Sequence, residues 1–158
     1  CLTSLAQRRL ILAQRRPSIT TLLSEPAIRR LLADGIGAGL PLSERSRAEA
    51  RAAAVTEAEN LASKIEQAPL GVQIGLLQEP EPSNQSMIYR ARDRAHVIAN
   101  PFPVDTHPSW GLGIAAITAA EDAVGIHQRV VEACWKNARK GMAAAQRLRI
   151  LIAEAHPA

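Results

Sequence analysis

The chain has 158 residues, enough for one domain with a self-sufficient core, and no run of about eighteen apolar residues that would cross a membrane. Aromatic residues make up 3%, too few for the stacked rings of a single-strand nucleic-acid platform, and the two cysteines, Cys1 and Cys134, form no CxxC pair of the kind a zinc site or disulfide framework uses. The formal charge of +4 sits at the start of the chain, where Arg8, Arg9, Arg15, Arg16, Arg29 and Arg30 face only Glu25 and Asp34, so a basic end adjoins a neutral body.

In chain order, Thr3 or Ser4 caps a first helix reaching about Arg15, with Leu5, Ala6, Leu10, Leu12 and Ala13 lining its inward side and Pro17 stopping it. The short stretch from Leu10 to Leu12 lies between arginine pairs, a pattern of neither a signal peptide nor a span, so a cytoplasmic protein without membrane contact is expected. Residues 18–23 form a short stretch rich in β-branched residues, which predicts a strand. Ser24-Glu25-Pro26 then opens a helix with Ile28, Leu31 and Leu32 on one face and Gly35 just beyond its end. The glycines at 35, 37 and 39 follow a helix and not a strand, which argues against a phosphate-cradling loop.

Ser43 caps a long helix over 43–68, with Ala54, Ala58, Leu61, Ile65 and Ala68 as its inward stripe and Pro69 ending it; so many alanines admit a close neighbour. Strands are expected at 70–77, 86–90 and 95–99, the last two as an antiparallel hairpin. Residues 100–112 carry three prolines with Phe102 and Trp110 as apolar anchors, an ordered loop of the kind that often presents binding groups. Beyond it a strand at 113–117 runs into a helix over about 119–140, with Thr118 and Glu121 spaced as a capping box and Gly141 as its terminator; a last helix covers 142–155. The fold expected is α+β: a mixed or antiparallel sheet of four to five strands, the long helix 43–68 and a C-terminal helix pair, in one domain over 1–158.

Tyr89, Phe102, Trp110, Met87 and Trp135 are nearly all the large side chains present. Facing one cavity under the 100–112 loop, they would form an apolar pocket with Arg90, Arg92 and His107 as polar fittings; otherwise they fill the core. Tyr89, Arg90, Arg92, Phe102, His107 and Trp110 are therefore the candidate ligand-binding residues. Asp105, His107 and His96 match no standard metal spacing, so hydrogen-bonded loop residues are expected there, with neither metal nor cofactor. His127 and Cys134 stand two helical turns apart, too far for a thiol–imidazole pair. An N-terminal cysteine nucleophile calls for a strand at the terminus, whereas residues 2–15 read as helix, so Cys1 is taken as the boundary of a fragment of a longer protein.

Two stretches carry a resemblance. Arg8-Arg9-Leu10-Ile11-Leu12, followed by residues 19–23 and Ser24-Glu25-Pro26-Ala27-Ile28-Arg29, resembles an Arg-Gln pair, a short gap, a strand ending in Thr-Glu and an Ala-Leu-Arg helix start. Residues 72–78 and 87–89, with Ala138, Gly141, Ala145, Arg147, Leu148 and Ile150, resemble a strand, a hairpin and a closing helix pair. Both patterns are those of the C-terminal domain found behind the helix-turn-helix of bacterial transcriptional regulators of the XRE family, which these stretches resemble. The linker and alanine-rich helix at 35–68 and the proline-rich loop depart from that pattern.

The resemblance implies a non-enzymatic regulatory domain that binds a small-molecule effector or a partner protein, forms a homodimer, and touches DNA only through a part outside this chain. Two other readings stand beside it. One is a small hydrolase or transferase with a polar site around Asp105 and His107; the other is a purely structural oligomerisation domain in which the alanine-rich helix packs on its twin.

Overall fold

A computed structural model of the chain describes residues 18–37, 39–80, 86–92, 94–100 and 116–155, together with Gln7, Leu10 and Gln14. Of the expected first helix only those three isolated residues are described; all three are helical, and Leu10 is 60% exposed, so it lines no inward face. The 100–112 loop falls outside the described residues apart from Asn100.

The architecture is α+β, with the strands divided between two three-stranded sheets. β1 (Ile19–Ser24) leads directly into α1 (Glu25–Asp34), whose Ser24 N-cap accepts from the Ala27 N–H at 3.2 Å. Gly35 ends α1 through an N–H bond to the Leu31 carbonyl, with φ at +82°. A Cβ there would lie 2.8 Å from the Arg51 nitrogen in α2 (Glu44–Gln67), so the position needs glycine both for its backbone and for the close approach. α2 starts on Ser43, whose hydroxyl accepts from the Ser46 N–H, and ends at Ala68, an exposed left-handed cap and not part of the inward stripe.

β2 (Val72–Leu77) pairs in parallel with β1, Ile19 opposite Val72 and Ser24 opposite Leu77. The third strand of this first sheet was not expected. β6 (Arg139–Lys140) is two residues long and runs antiparallel to β2, with Gly75 opposite Lys140 and Leu76 opposite Arg139. It separates α3 (Glu121–Asn137) from α4 (Gly141–Ala155). The helix expected over 119–140 therefore stops at Asn137, because buried Ala138 turns extended and carries the chain onto the edge of β2. Gly141, expected as a terminator, is the first residue of α4, with φ at +53°.

The capping box at the start of α3 is also corrected. Ala120 is the N-cap and receives no side-chain bond. The Thr118 hydroxyl accepts instead from the Ala120 N–H at 3.2 Å, turning the chain between the strand that ends at Thr118 and α3. The second sheet has the order β3-β4-β5: β3 (Ser86–Arg90) and β4 (Ala95–Ala99) make the expected hairpin, and β5 (Ala116–Thr118) joins β4 antiparallel.

The core lies on one face of the first sheet, where Ile28 and Leu32 of α1, Ala58, Ala62 and Ile65 of α2, Leu76 of β2 and Ala144, Ala145, Leu148 and Leu151 of α4 are buried together. The alanines of α2 meet the alanine pair of α4 inside this cluster, so that face is filled within the chain and is not open to a twin. The opposite face of the sheet is approached by α3: a Cβ added at Gly75 would lie 2.9 Å from the Trp135 ring and 3.0 Å from Ala138. Being covered on both faces, β2 is apolar along its second half, Gly75, Leu76 and Leu77 all being buried.

Candidate functional site

Two constellations stand out, one closed and one open. The closed one forms where β1 becomes α1. Glu25, its side chain 9% exposed, receives two hydrogen bonds on Oε2 from Arg147 of α4, Nη2 at 2.7 Å and Nε at 2.9 Å. The Arg139 Nε of β6 lies 3.9 Å from Oε1, which accepts no hydrogen bond within the described structure. Arg147 also reaches Glu154, and Glu154 pairs with Arg29 at 2.7 Å. The Arg147 hydrogen bonds hold the Glu25 carboxyl below its usual range, against the opposing effect of burial, with further help from the Arg147, Arg139 and Arg29 charges. The Arg147 guanidinium is raised in turn by the same bonds. This network ties α1, β6 and α4 together.

The open constellation is a groove of about 390 Å³ at the free side of the first sheet. Its floor is apolar, from Ile65 of α2 and Val72 and Ile74 of β2. Trp135, from the last turn of α3, forms one wall, held over Gly75 where no side chain intervenes. The Lys140 ammonium lies 5.3 Å from the centroid of the Trp135 ring, a cation–π contact. Lys64, in the last turn of α2, is exposed on the other side, at a helix end whose dipole favours a cation. No aspartate or glutamate lines the groove, so its field is positive over an apolar floor. Such a site suits a ligand with an anionic group and an apolar or aromatic body.

The candidate residues read from the sequence fall elsewhere. Tyr89 lies on β3 opposite His96 and is 57% exposed. Arg90, at the end of β3, meets the side-chain amide of Gln128 on α3, whose oxygen accepts from the guanidinium when the amide is oriented to match its neighbours. Arg92 is exposed just beyond β3. Phe102, His107 and Trp110, with Asp105, lie outside the described residues. His127 bonds within its own helix, Nδ1 lying 2.8 Å from the Ala123 carbonyl, and Cys134 is a half-buried free thiol. Among the described residues no group of three or more histidine, cysteine or acidic side chains is placed to hold a metal.

Of the groove residues, only Trp135 was read from the sequence as a possible pocket residue. Lys64 and Lys140 carry no local signal; Lys140 is brought to the groove by the pairing of β6 with β2, which a two-residue strand does not announce. No helix among the described residues is long and apolar enough to cross a membrane. Compared with protein-family models, curated proteins and solved structures, the chain gives no match.

Proposed function

We propose that this chain is a non-enzymatic regulatory domain of a bacterial transcriptional regulator. It takes up an effector in the groove between α2, β2 and Trp135, works as a homodimer in the cytoplasm, and leaves DNA contact to a part outside these residues. The observation that carries the reading is the groove itself: an indole wall and two ammonium groups over an apolar floor, with no acid among the lining residues. Such a lining binds and orients a ligand without supplying a nucleophile and a paired base for chemistry.

A second observation supports the family reading. The two stretches that resemble the XRE-type C-terminal domain, around Glu25 near one end and Arg147 near the other, meet in the part-buried ion pair. Self-association has a surface to draw on. Met87, Ile98 and Ile117 stand in one row across the second sheet, with Met87 61% and Ile117 66% exposed, on the face opposite buried Val97.

Native mass spectrometry of the protein as purified from cells tests the reading. A dimer carrying extra mass that is lost on denaturation is the expected result, and substituting Trp135 by Ala should abolish retention of that mass. A bare monomer would overturn both the effector and the dimer.

A further inference from the structure

We infer that the occupant of the groove is a short extended peptide segment bearing acidic side chains, added as a further strand to the free edge of β2. This inference rests on the effector reading above and specifies its ligand.

The edge is real in the backbone. The Ile19 N–H donates to the Gly71 carbonyl at 2.7 Å, so the ladder with β1 uses residues 71, 73 and 75 of this segment, and Val72 and Ile74 turn their backbone groups to the other side. On that side β6 covers only Gly75 and Leu76. The Val72 N–H is taken by the Pro69 carbonyl at 3.1 Å. The Val72 carbonyl and the Ile74 amide then face a side on which no strand of the described residues pairs with them, along the floor of the groove. One residue of an added parallel strand spans such a pair, donating to the first and accepting from the second.

The side chains around the edge read an extended chain better than a compact molecule. Lys140 is paired directly opposite Gly75, so it stands on the face of the sheet that meets Trp135, as its cation–π contact confirms. Ile74 packs with the core on the opposite face, and Val72, two residues earlier, shares that face with Lys64 and Ile65 of α2. The groove therefore offers one ammonium on each side of the sheet plane. Consecutive side chains of a strand point to opposite faces, so two adjacent acidic residues would meet Lys140 and Lys64, and a flanking apolar residue would lie on the indole. Charge complementarity selects acid: both cations are exposed and no carboxylate lines the site.

The test is fluorescence anisotropy on the full chain, with a labelled, end-blocked Ala-Val-Glu-Glu-Val-Ala peptide as probe. The probe should bind saturably, and its Lys-Lys counterpart should not. Methylating the backbone nitrogen that would donate to Val72 should weaken binding about tenfold, the loss of one well-made hydrogen bond. Lys64→Gln and Lys140→Gln should each weaken it about threefold to fivefold, with unchanged thermal melting, and added salt should act in the same direction. Equal binding of the methylated peptide, or of acidic and basic peptides, would overturn strand addition. Binding of indole-3-acetate but of no peptide would overturn the peptide and leave the effector reading standing. Failure of every probe, with no retained mass in the native spectrum, would remove both.

Discussion

Gly75 shows how much one missing side chain decides. It sits in the middle strand of the first sheet, where an added Cβ would lie 2.9 Å from the Trp135 ring and 3.0 Å from both the Ala138 methyl and the Leu22 side chain. Gly75→Ala should therefore destabilise the fold by about 1–3 kcal/mol through overpacking, read as a lower urea midpoint. Because Trp135 is the group displaced, the same variant should also shift its emission. Glu25 is the other residue whose surroundings set its chemistry. Its folded pKa lies below the ordinary value near 4.5, so its contribution is fully present above that value and is lost as pH falls through the folded one. Wild-type stability should fall steeply below about pH 4.5, and Glu25→Gln should be less stable at pH 7 but flatter in acid; pH-dependent thermal melting checks both. A serine–glutamate pair before a helix is legible as a helix start, and Ser24 behaves as one. That the glutamate would turn inward to an arginine more than a hundred residues later is a tertiary fact, and nothing local to it says so.

At the scale of elements, the parts with strong local signals are the parts that were legible. α1 and α2 begin at serines that accept from backbone N–H groups, and Ala54, Ala58 and Ile65 of the expected α2 stripe are buried as the 3.6-residue period requires, with Ala62 buried where Leu61 is only half-buried. The β3–β4 hairpin follows from two short β-prone runs separated by a turn, with the Ala91 N–H donating to the Arg94 carbonyl at 2.8 Å. β6 was not legible, since two residues, Arg139 and Lys140, hold no periodicity, and without it the helix of α3 reads through to Gly141. The division of strands into two sheets depends on pairing partners, which the strand patterns leave open. The groove was hidden for the same reason, its cations and indole coming from α2, α3 and β6. The α2–α4 contact gives a prediction at this scale. Ala62 is fully buried in the cluster that holds Ala144 and Ala145, so Ala62→Leu should force the helices apart and lower stability by about 1–3 kcal/mol in chemical denaturation.

Taken whole, the molecule is unevenly held. The buried cluster draws on α1, α2, β2 and α4 and on no residue of the second sheet, which meets the rest through α3, with Val97 and Val124 as its buried residues. Hydrogen exchange should show this as two levels of opening, with amides of β3, β4 and β5 exchanging at lower free energy than those of β2 and α4. Uniform protection across both sheets would show a single cooperative unit instead. The second sheet, with its apolar outer row, is the surface offered to a second copy, and the dimer proposed above should raise its protection selectively.

The ion pair between Glu25 and Arg147 closes a loop of 122 residues, and that bears on how the chain is made. At a synthesis rate of about 5–20 residues per second, the arginine leaves the ribosome roughly 6–24 s after the glutamate. During that interval α1 has its serine cap and the Arg29 charge but neither α4 to pack on nor the Arg147 guanidinium that bonds its first carboxylate. Among the described elements, β1 and α1 thus emerge first and wait longest for their last packing partner, which makes them a stretch a nascent-chain chaperone would meet incompletely packed.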